Sequence, residues 1–233
     1  MATPGLMFVV SRVRDAQKTP DELYNRFYNE EHLAAVLAGG HVKLGLRYKN
    51  VVDTDTTIPY LALYPIDDAS TIGSPESRKH MEETKKSKIL ECDDIFDLIH
   101  FELRPYEKIQ TYEGYGHGND DGQRRGRTMI YFGMEPGEGQ NDDVDSWYRK
   151  QHLDMLAMCK GFIRCTRYKR KDGACPRFLA LAEYDCDAAD LPIEQMKQVR
   201  ATEWSTKILN DAKVYERGVF SLIQAQGDTH LKL

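Results

Sequence analysis

The chain has no Cys-x-x-Cys pair, no His-Glu-x-x-His helix and no cluster of cysteine with histidine, so the usual signatures of structural zinc and of a helix-borne catalytic metal are missing. It also lacks a glycine-rich phosphate loop: Gly114-Tyr115-Gly116-His117-Gly118 does not lead from a strand into a helix and reads as linker. No metal and no cofactor is therefore expected, although a single histidine leaves haem open. The five cysteines, Cys92, Cys159, Cys165, Cys175 and Cys186, are an odd set without paired spacing, which argues against a disulfide framework and for a reduced compartment. No apolar run reaches 18 residues and the start carries no leader pattern, so a cytoplasmic protein without a membrane partner is expected. The net charge is −5, with lysines and arginines scattered among acids, and the electrostatic footprint of a nucleic-acid binder is absent.

What is present is an ordinary globular composition, 41% hydrophobic and 30% charged over 233 residues, and an internal repeat. Phe27-Tyr28-x-x-x-His32-Leu33 returns as Trp147-Tyr148-x-x-x-His152-Leu153, and Arg47-Tyr48-Lys49 as Arg167-Tyr168-Lys169, both 120 residues later (152 − 32 and 167 − 47). Leu61-Ala62-Leu63 returns as Leu179-Ala180-Leu181, and Lys88-Ile89-Leu90 as Lys207-Ile208-Leu209. Four collinear anchors imply duplication, with repeats over 1–112 and 127–233. Residues 113–126, rich in glycine and charge, form the expected linker.

Each repeat reads as strand, helix, strand, strand, helix, strand. Leu6 to Val13 and Thr128 to Met134 suit first strands. Thr19, Pro20 and Glu22 predict a capped helix start, with Asn141 and its aspartates as the counterpart. Val42 to Lys49 with Tyr60 to Tyr64 predicts a hairpin through Asp53-Thr54-Asp55, and Ile163 to Lys169 with Phe178 to Tyr184 predicts one through Asp172-Gly173. A second helix is expected from Ser74-Pro75 toward Leu90, and from Leu191 to Leu209. Ile95 to Leu103 and Val219 to Ile223 close the repeats. A sheet with helices on one face leaves its other face to be covered, and two such sheets can cover each other. The fold class expected is α+β, with tandem ferredoxin-like repeats forming a pseudo-dimeric barrel.

The aromatic-Tyr-x-x-x-His-Leu helix, the Arg-Tyr-Lys strand and the element order resemble the dimeric α+β barrel superfamily, and within it the EthD-like proteins in a tandem form found in fungi; the likeness covers nearly the whole chain. That superfamily holds cofactor-independent monooxygenases, polyketide cyclases, decarboxylases, haem enzymes and proteins with no assigned chemistry. The resemblance implies a small-molecule cavity between sheet and helices in each repeat, with His32 and His152 near its mouth or wall and Tyr28 and Tyr148 one turn earlier. The repeats differ: Glu31 becomes Gln151 and Tyr24 becomes Val144, so the two pockets are chemically unequal and the first is favoured as the active one.

On a helix, residues four apart share a face, which places Tyr24, Tyr28 and His32 in one stripe and Tyr148 with His152 in its shorter copy. Imidazole suits proton transfer near neutrality and a phenol can donate to a substrate oxygen, so His32, Tyr28, His152 and Tyr148 are the candidate catalytic residues. The competing reading makes the histidines backbone partners and the aromatics core. Tyr24, Arg47, Arg167 and His100 are candidate substrate-binding residues, the arginines because a guanidinium presents a rigid donor fork. An arginine in such a place also commonly pairs with a neighbouring helix. His80, in a charged stretch, is expected to be exposed.

The leading functional expectation is a cofactor-independent cyclase, decarboxylase or related lyase acting on a small aromatic or polyketide-derived molecule. A non-catalytic small-ligand binder and a cofactor-independent monooxygenase are the alternatives, and further pairing of the chain into a homodimer stays open.

Overall fold

The computed structural model describes residues 2–52, 58–114 and 125–233. Asp53-Thr54-Asp55, His117 and most of the expected linker lie outside the described residues.

The two repeats form two compact units, but the chain divides between them differently from the sequence halves. The first unit comprises Met1–Glu107 with Leu222–Leu231, and the second Lys108–Ser221 with Lys232–Leu233. The reason is the length of the closing strands. β4 (Ile99–Glu113) and β8 (Val214–Gly227) run far beyond the short segments their apolar patterns suggest, and each ends in the other unit.

In the first unit β1 (Gly5–Val13) lies antiparallel between β3 (Tyr60–Ile66) and β4, and β2 (Leu44–Asn50) joins β3 on its other edge. The second unit repeats this with β5 (Thr128–Glu135) between β7 (Phe178–Tyr184) and β8, and β6 (Phe162–Arg170) beyond β7. The hydrogen-bonded order β1-β3-β2-β8-β5-β7-β6-β4 is that of a closed eight-stranded barrel. Among the described residues, no helix is long and apolar enough to cross a membrane.

The Tyr-x-x-x-His motif is not a regular α-helix. α1 (Asp21–Phe27) widens into a π-helical turn over Tyr28–His32 before α2 (Leu33–Ala38), and α4 (Asn141–Trp147) does the same over Tyr148–His152 before α5 (Leu153–Ala157). A π turn hydrogen-bonds over five residues rather than four. It therefore brings residues i and i+5 together as well as i and i+4. The His32 ring lies 5.4 Å from Phe27 and 4.8 Å from Tyr28, and His152 lies 4.0 Å from Trp147 and 5.4 Å from Tyr148.

Several local expectations are corrected. Thr19 does not cap: its hydroxyl is buried without a partner, and α1 starts after Pro20 with no side-chain cap. Asn141 turns its carbonyl toward Arg177 instead of capping α4. The Asp172-Gly173 connection is a loop longer than a two-residue turn, in which Asp172 accepts from Arg170 and from the amide of Ala174. α3 (Pro75–Glu83), capped by Ser74, stops well short of Leu90 and buries none of its residues. Its counterpart breaks in two, α6 (Ile193–Arg200) and α7 (Glu203–Asp211), because Thr202 caps a new start through the Ser205 amide. α6 and α7 together bury Met196, Val199, Ser205 and Ile208. This contrast between a polar α3 and a buried α6–α7 pair decides what happens at the two sites.

Candidate functional site

In the first unit, α2, α3 and the helix-facing side of the sheet enclose a cavity of about 150 Å³. β1 supplies Met7 and Val9, β3 supplies Tyr64, β4 supplies Phe101 and Leu103, and α3 supplies Ser77, His80 and Met81. The first π turn brings Tyr28 and His32 to its wall. Strand alternation explains the strand contributions, since Met7 pairs with Tyr64 and Val9 with Leu103 in register on one face. A cavity of this size accommodates a molecule of about the bulk of benzene.

The polar groups of the wall are few and specific. The Tyr28 and Tyr64 hydroxyls are 3.1 Å apart, and burial holds both phenols well above the usual range, so both are neutral donors or acceptors. His32 is partly buried, with its Nδ1 closed off from solvent and without a partner. Burial, then the charge of Arg47, lowers its pKa to about 4, so the ring is neutral at pH 7. His80, expected to be exposed, instead lines the cavity and places Nε2 2.9 Å from the carbonyl of Ala35, tying α3 to α2.

Arg47 does not line the cavity. It is buried behind the tyrosines, its guanidinium carbon 4.2 Å from the Tyr28 ring centroid, with Nη1 donating to Asn29 and Nη2 to Asn25 at 3.0 Å. Among the described residues no carboxylate is in ion-pair contact with it; amide dipoles and ring faces surround its charge, and Asp21 acts on it at longer range. Tyr24, fully buried and 2.7 Å from the Ser11 hydroxyl, also stays behind the wall. Glu31 does not orient His32. Its carboxylate takes Ser87 Oγ at 2.5 Å and the amides of Lys88 and Ile89, bonds that outweigh burial and hold it below the usual carboxylate range. His100 alternates away from Ile99 and Phe101, is exposed at the start of β4 and takes no part in the cavity.

The second unit has a different interior. Its cavity measures about 30 Å³, lined by Trp147, Tyr148, His152, Met196, Val199, Arg200, Tyr215 and Arg217 among others. Trp147, where the first repeat has Phe27, stacks on His152 and donates Nε1 to Ser205 Oγ at 3.1 Å. His152 is 7% exposed, with its Nδ1 also unpartnered, and burial lowers its pKa to about 3. Tyr64 is replaced by Ala182, so Tyr148 has no hydroxyl partner. Arg167 is excluded from this cavity as Arg47 is from the other, but Asp145 neutralises it at 2.9 Å and Gln110 accepts from it at the same distance.

Sequence reasoning missed Tyr64 and His80. Tyr64 was legible as the helix-facing partner of Met7 in a strand where Tyr60, Ala62 and Tyr64 alternate, while His80, on a helix where some polyketide cyclases of the superfamily carry a catalytic histidine, was set aside because its neighbours Arg78, Lys79 and Glu82 are charged. Among the described residues, no group of three or more His, Cys, Asp or Glu side chains could hold a metal ion.

No known family profile matches the chain. It is 33% identical over 73 residues to core atranone cluster protein 1 of Stachybotrys chlorohalonatus, a match spanning 31% of this chain and 30% of that protein. An anthrone oxidase-like protein of known structure superposes with a TM-score of 0.60 over 97% of this chain and 94% of its own, at 11% identity. A chlorite dismutase mutant from Candidatus Nitrospira defluvii superposes with a TM-score of 0.55 over 95% and 91%, at 7% identity. At such identities the likeness is one of fold, and the chain adopts the dimeric α+β barrel fold shared by proteins of differing chemistry.

Proposed function

We propose that the first unit is the active site of a cofactor-independent enzyme acting on a small aromatic or polyketide-derived ketone, by proton transfer at carbon next to the carbonyl. The observation that carries this reading is the meeting, at one apolar cavity, of a neutral imidazole and a tyrosine hydroxyl pair. His32 takes the proton from carbon, the C–H electron pair moves toward the carbonyl carbon, and the oxygen becomes an enolate held by the Tyr28 and Tyr64 hydroxyls. An imidazole with a pKa near 4 is a weak base in the empty site, but the enolate forming beside it favours the imidazolium, as any opposite charge does. Arg47 behind Tyr28 adds positive potential without touching the ligand. Cyclisation, decarboxylation or a related lyase step can start from such an enolate. The partial likeness to core atranone cluster protein 1 supports a place in the making of a secondary metabolite, and the fold shared with an anthrone oxidase-like protein is compatible with an aromatic substrate.

Deuterium exchange at the carbon next to the carbonyl of small aryl ketones such as acetophenone, followed by NMR in D2O, tests this. The expected result is exchange faster than in buffer, lost in His32→Ala and retained in His152→Ala. Saturable binding without accelerated exchange would replace the enzyme by a ligand-binding protein. Oxygen uptake with anthrone that stops under anaerobic conditions would move it to the monooxygenases.

A further inference from the structure

The second unit's site is smaller than the first, but it is not merely a filled copy. The register of the sheet and the spacing of the repeat align its wall with that of the first unit. Phe101 pairs with Ser11 as Tyr215 pairs with Met134, and Leu103 pairs with Val9 as Arg217 pairs with Phe132. On the helix side, the offset of 119 that relates Lys88 to Lys207 relates Met81 to Arg200 (200 − 81), and both line their cavities. Three apolar wall positions of the first unit, Met81, Phe101 and Leu103, are thus Arg200, Tyr215 and Arg217 in the second.

Neither arginine pairs with an acid. Among the described residues no carboxylate lies within ion-pair distance of Arg200 or Arg217, in a chain where Arg104, Arg127, Arg149, Arg167, Arg170 and Arg177 each have one. Arg200 is partly buried and Arg217 exposed, and Tyr215 between them keeps 38% of its surface, so the cations stand at the open side of the cavity. Ile130, Phe132, Leu156, Val199 and Leu209 make the remainder apolar. Burial, with the positive charge of Arg200 adding to it, lowers the pKa of Arg217, which is the direction expected for like charges lacking a counter-ion. Arg200 bonds the Tyr215 hydroxyl, but two guanidinium groups lining one largely apolar cavity, in a protein of net charge −5, still have donors to offer an anion that is not part of the chain.

We propose that the second unit is a binding site for a short aliphatic monocarboxylate, its carboxylate held between Arg200 and Arg217 and its small apolar tail in the cavity against Trp147 and Val199. The planar fork of each guanidinium matches a carboxylate, and a space of about 30 Å³, against about 150 Å³ in the first unit, takes a methyl group but no longer chain and no aromatic ring. This site does not depend on the reading of the first unit.

The test is binding of sodium acetate to the full chain at constant ionic strength, read by tryptophan fluorescence, since Trp147 lines the cavity, and by the rise of Tm with ligand concentration. The expected result is saturable binding, with acetamide inert and the affinity about tenfold weaker in Arg217→Gln and weaker again in Arg200→Gln/Arg217→Gln. Arg170→Gln, on the far hairpin, should bind as wild type. If the double variant does not fold, Arg217→Gln alone decides, since its side chain is exposed. Unsaturable binding, equal affinity for acetamide, equal affinity for inorganic phosphate, or unchanged affinity in Arg217→Gln would each overturn the assignment.

Discussion

The two units share a motif, a π turn and a strand order, yet one encloses a cavity of about 150 Å³ and the other about 30 Å³. The difference lies in the residues around the shared histidine. The first unit surrounds His32 with Phe27, Tyr28, Tyr64 and a helix, α3, that buries nothing; the second presses Trp147, Met196 and Val199 onto His152. A wall of tyrosines backed by an arginine in no ion-pair contact among the described residues is answered by Val144, Phe178 and Ala182 with an arginine neutralised by Asp145. Duplication preserved the backbone device and released the side chains, so the repeated histidine marks a place in the fold and its neighbours set its chemistry.

The comparison breaks if the second interior does not depend on its tryptophan. Trp147→Ala removes a stacked, hydrogen-bonded ring and should cost about 3–5 kcal/mol in urea unfolding. A cost below about 1 kcal/mol would show that α6 and α7 fill the space without it.

Acid probes both histidines at once. Each has a folded pKa below the ordinary 6.5, about 4 for His32 and about 3 for His152, so the unfolded chain binds the extra proton first as pH falls. Stability should therefore be unaffected by these groups above pH 6.5 and decline below it, each contributing a slope of up to about 1.4 kcal/mol per pH unit. The loss is complete near pH 4 for one and near pH 3 for the other. His152→Phe should flatten the acid limb over the wider range; equal flattening by His32→Phe would erase the distinction.

Filling should be tolerated in one unit and resisted in the other. Val36→Phe, projecting into the first cavity, should cost less than about 1.5 kcal/mol while blocking aryl ketone binding, whereas Met196→Trp should cost about 1–3 kcal/mol. Equal penalties in urea titrations would mean that the first cavity is no roomier than the second. The smallest effect concerns single hydroxyls: Tyr64→Phe should cost about 1 kcal/mol by stripping Tyr28 of its partner, and Tyr148→Phe close to nothing. Thermal unfolding of the pair would reverse the reading if Tyr148→Phe proved the costlier.

How much of this was legible in the residues can be followed position by position. The repeated anchors gave the duplication, and short apolar or alternating runs located the cores of β1, β3, β5 and β7, because such patterns are a local property of the chain. The same locality failed at the ends. Nothing in Arg104 to Glu113 is apolar enough to announce a strand, but backbone pairing with β1 and onward into the second unit extends β4 through it. Thr19 had the residue type of a cap and lost that role to burial. Arg47, Tyr24 and His100 had the chemistry of ligand-binding groups, and the structure puts the first two behind the wall and the third outside it.

By itself the sequence determined the α+β class, the internal repeat and the pairing of Tyr28 with His32 and of Tyr148 with His152, since each depends on spacing along one chain. Only the tertiary structure decided that the motif is a π turn, that Tyr64 and His80 join His32 across three elements, and that Arg200 and Arg217 meet without an acid. Those outcomes depend on which side chains arrive from distant strands and helices and how much volume they leave, and no local pattern encodes either.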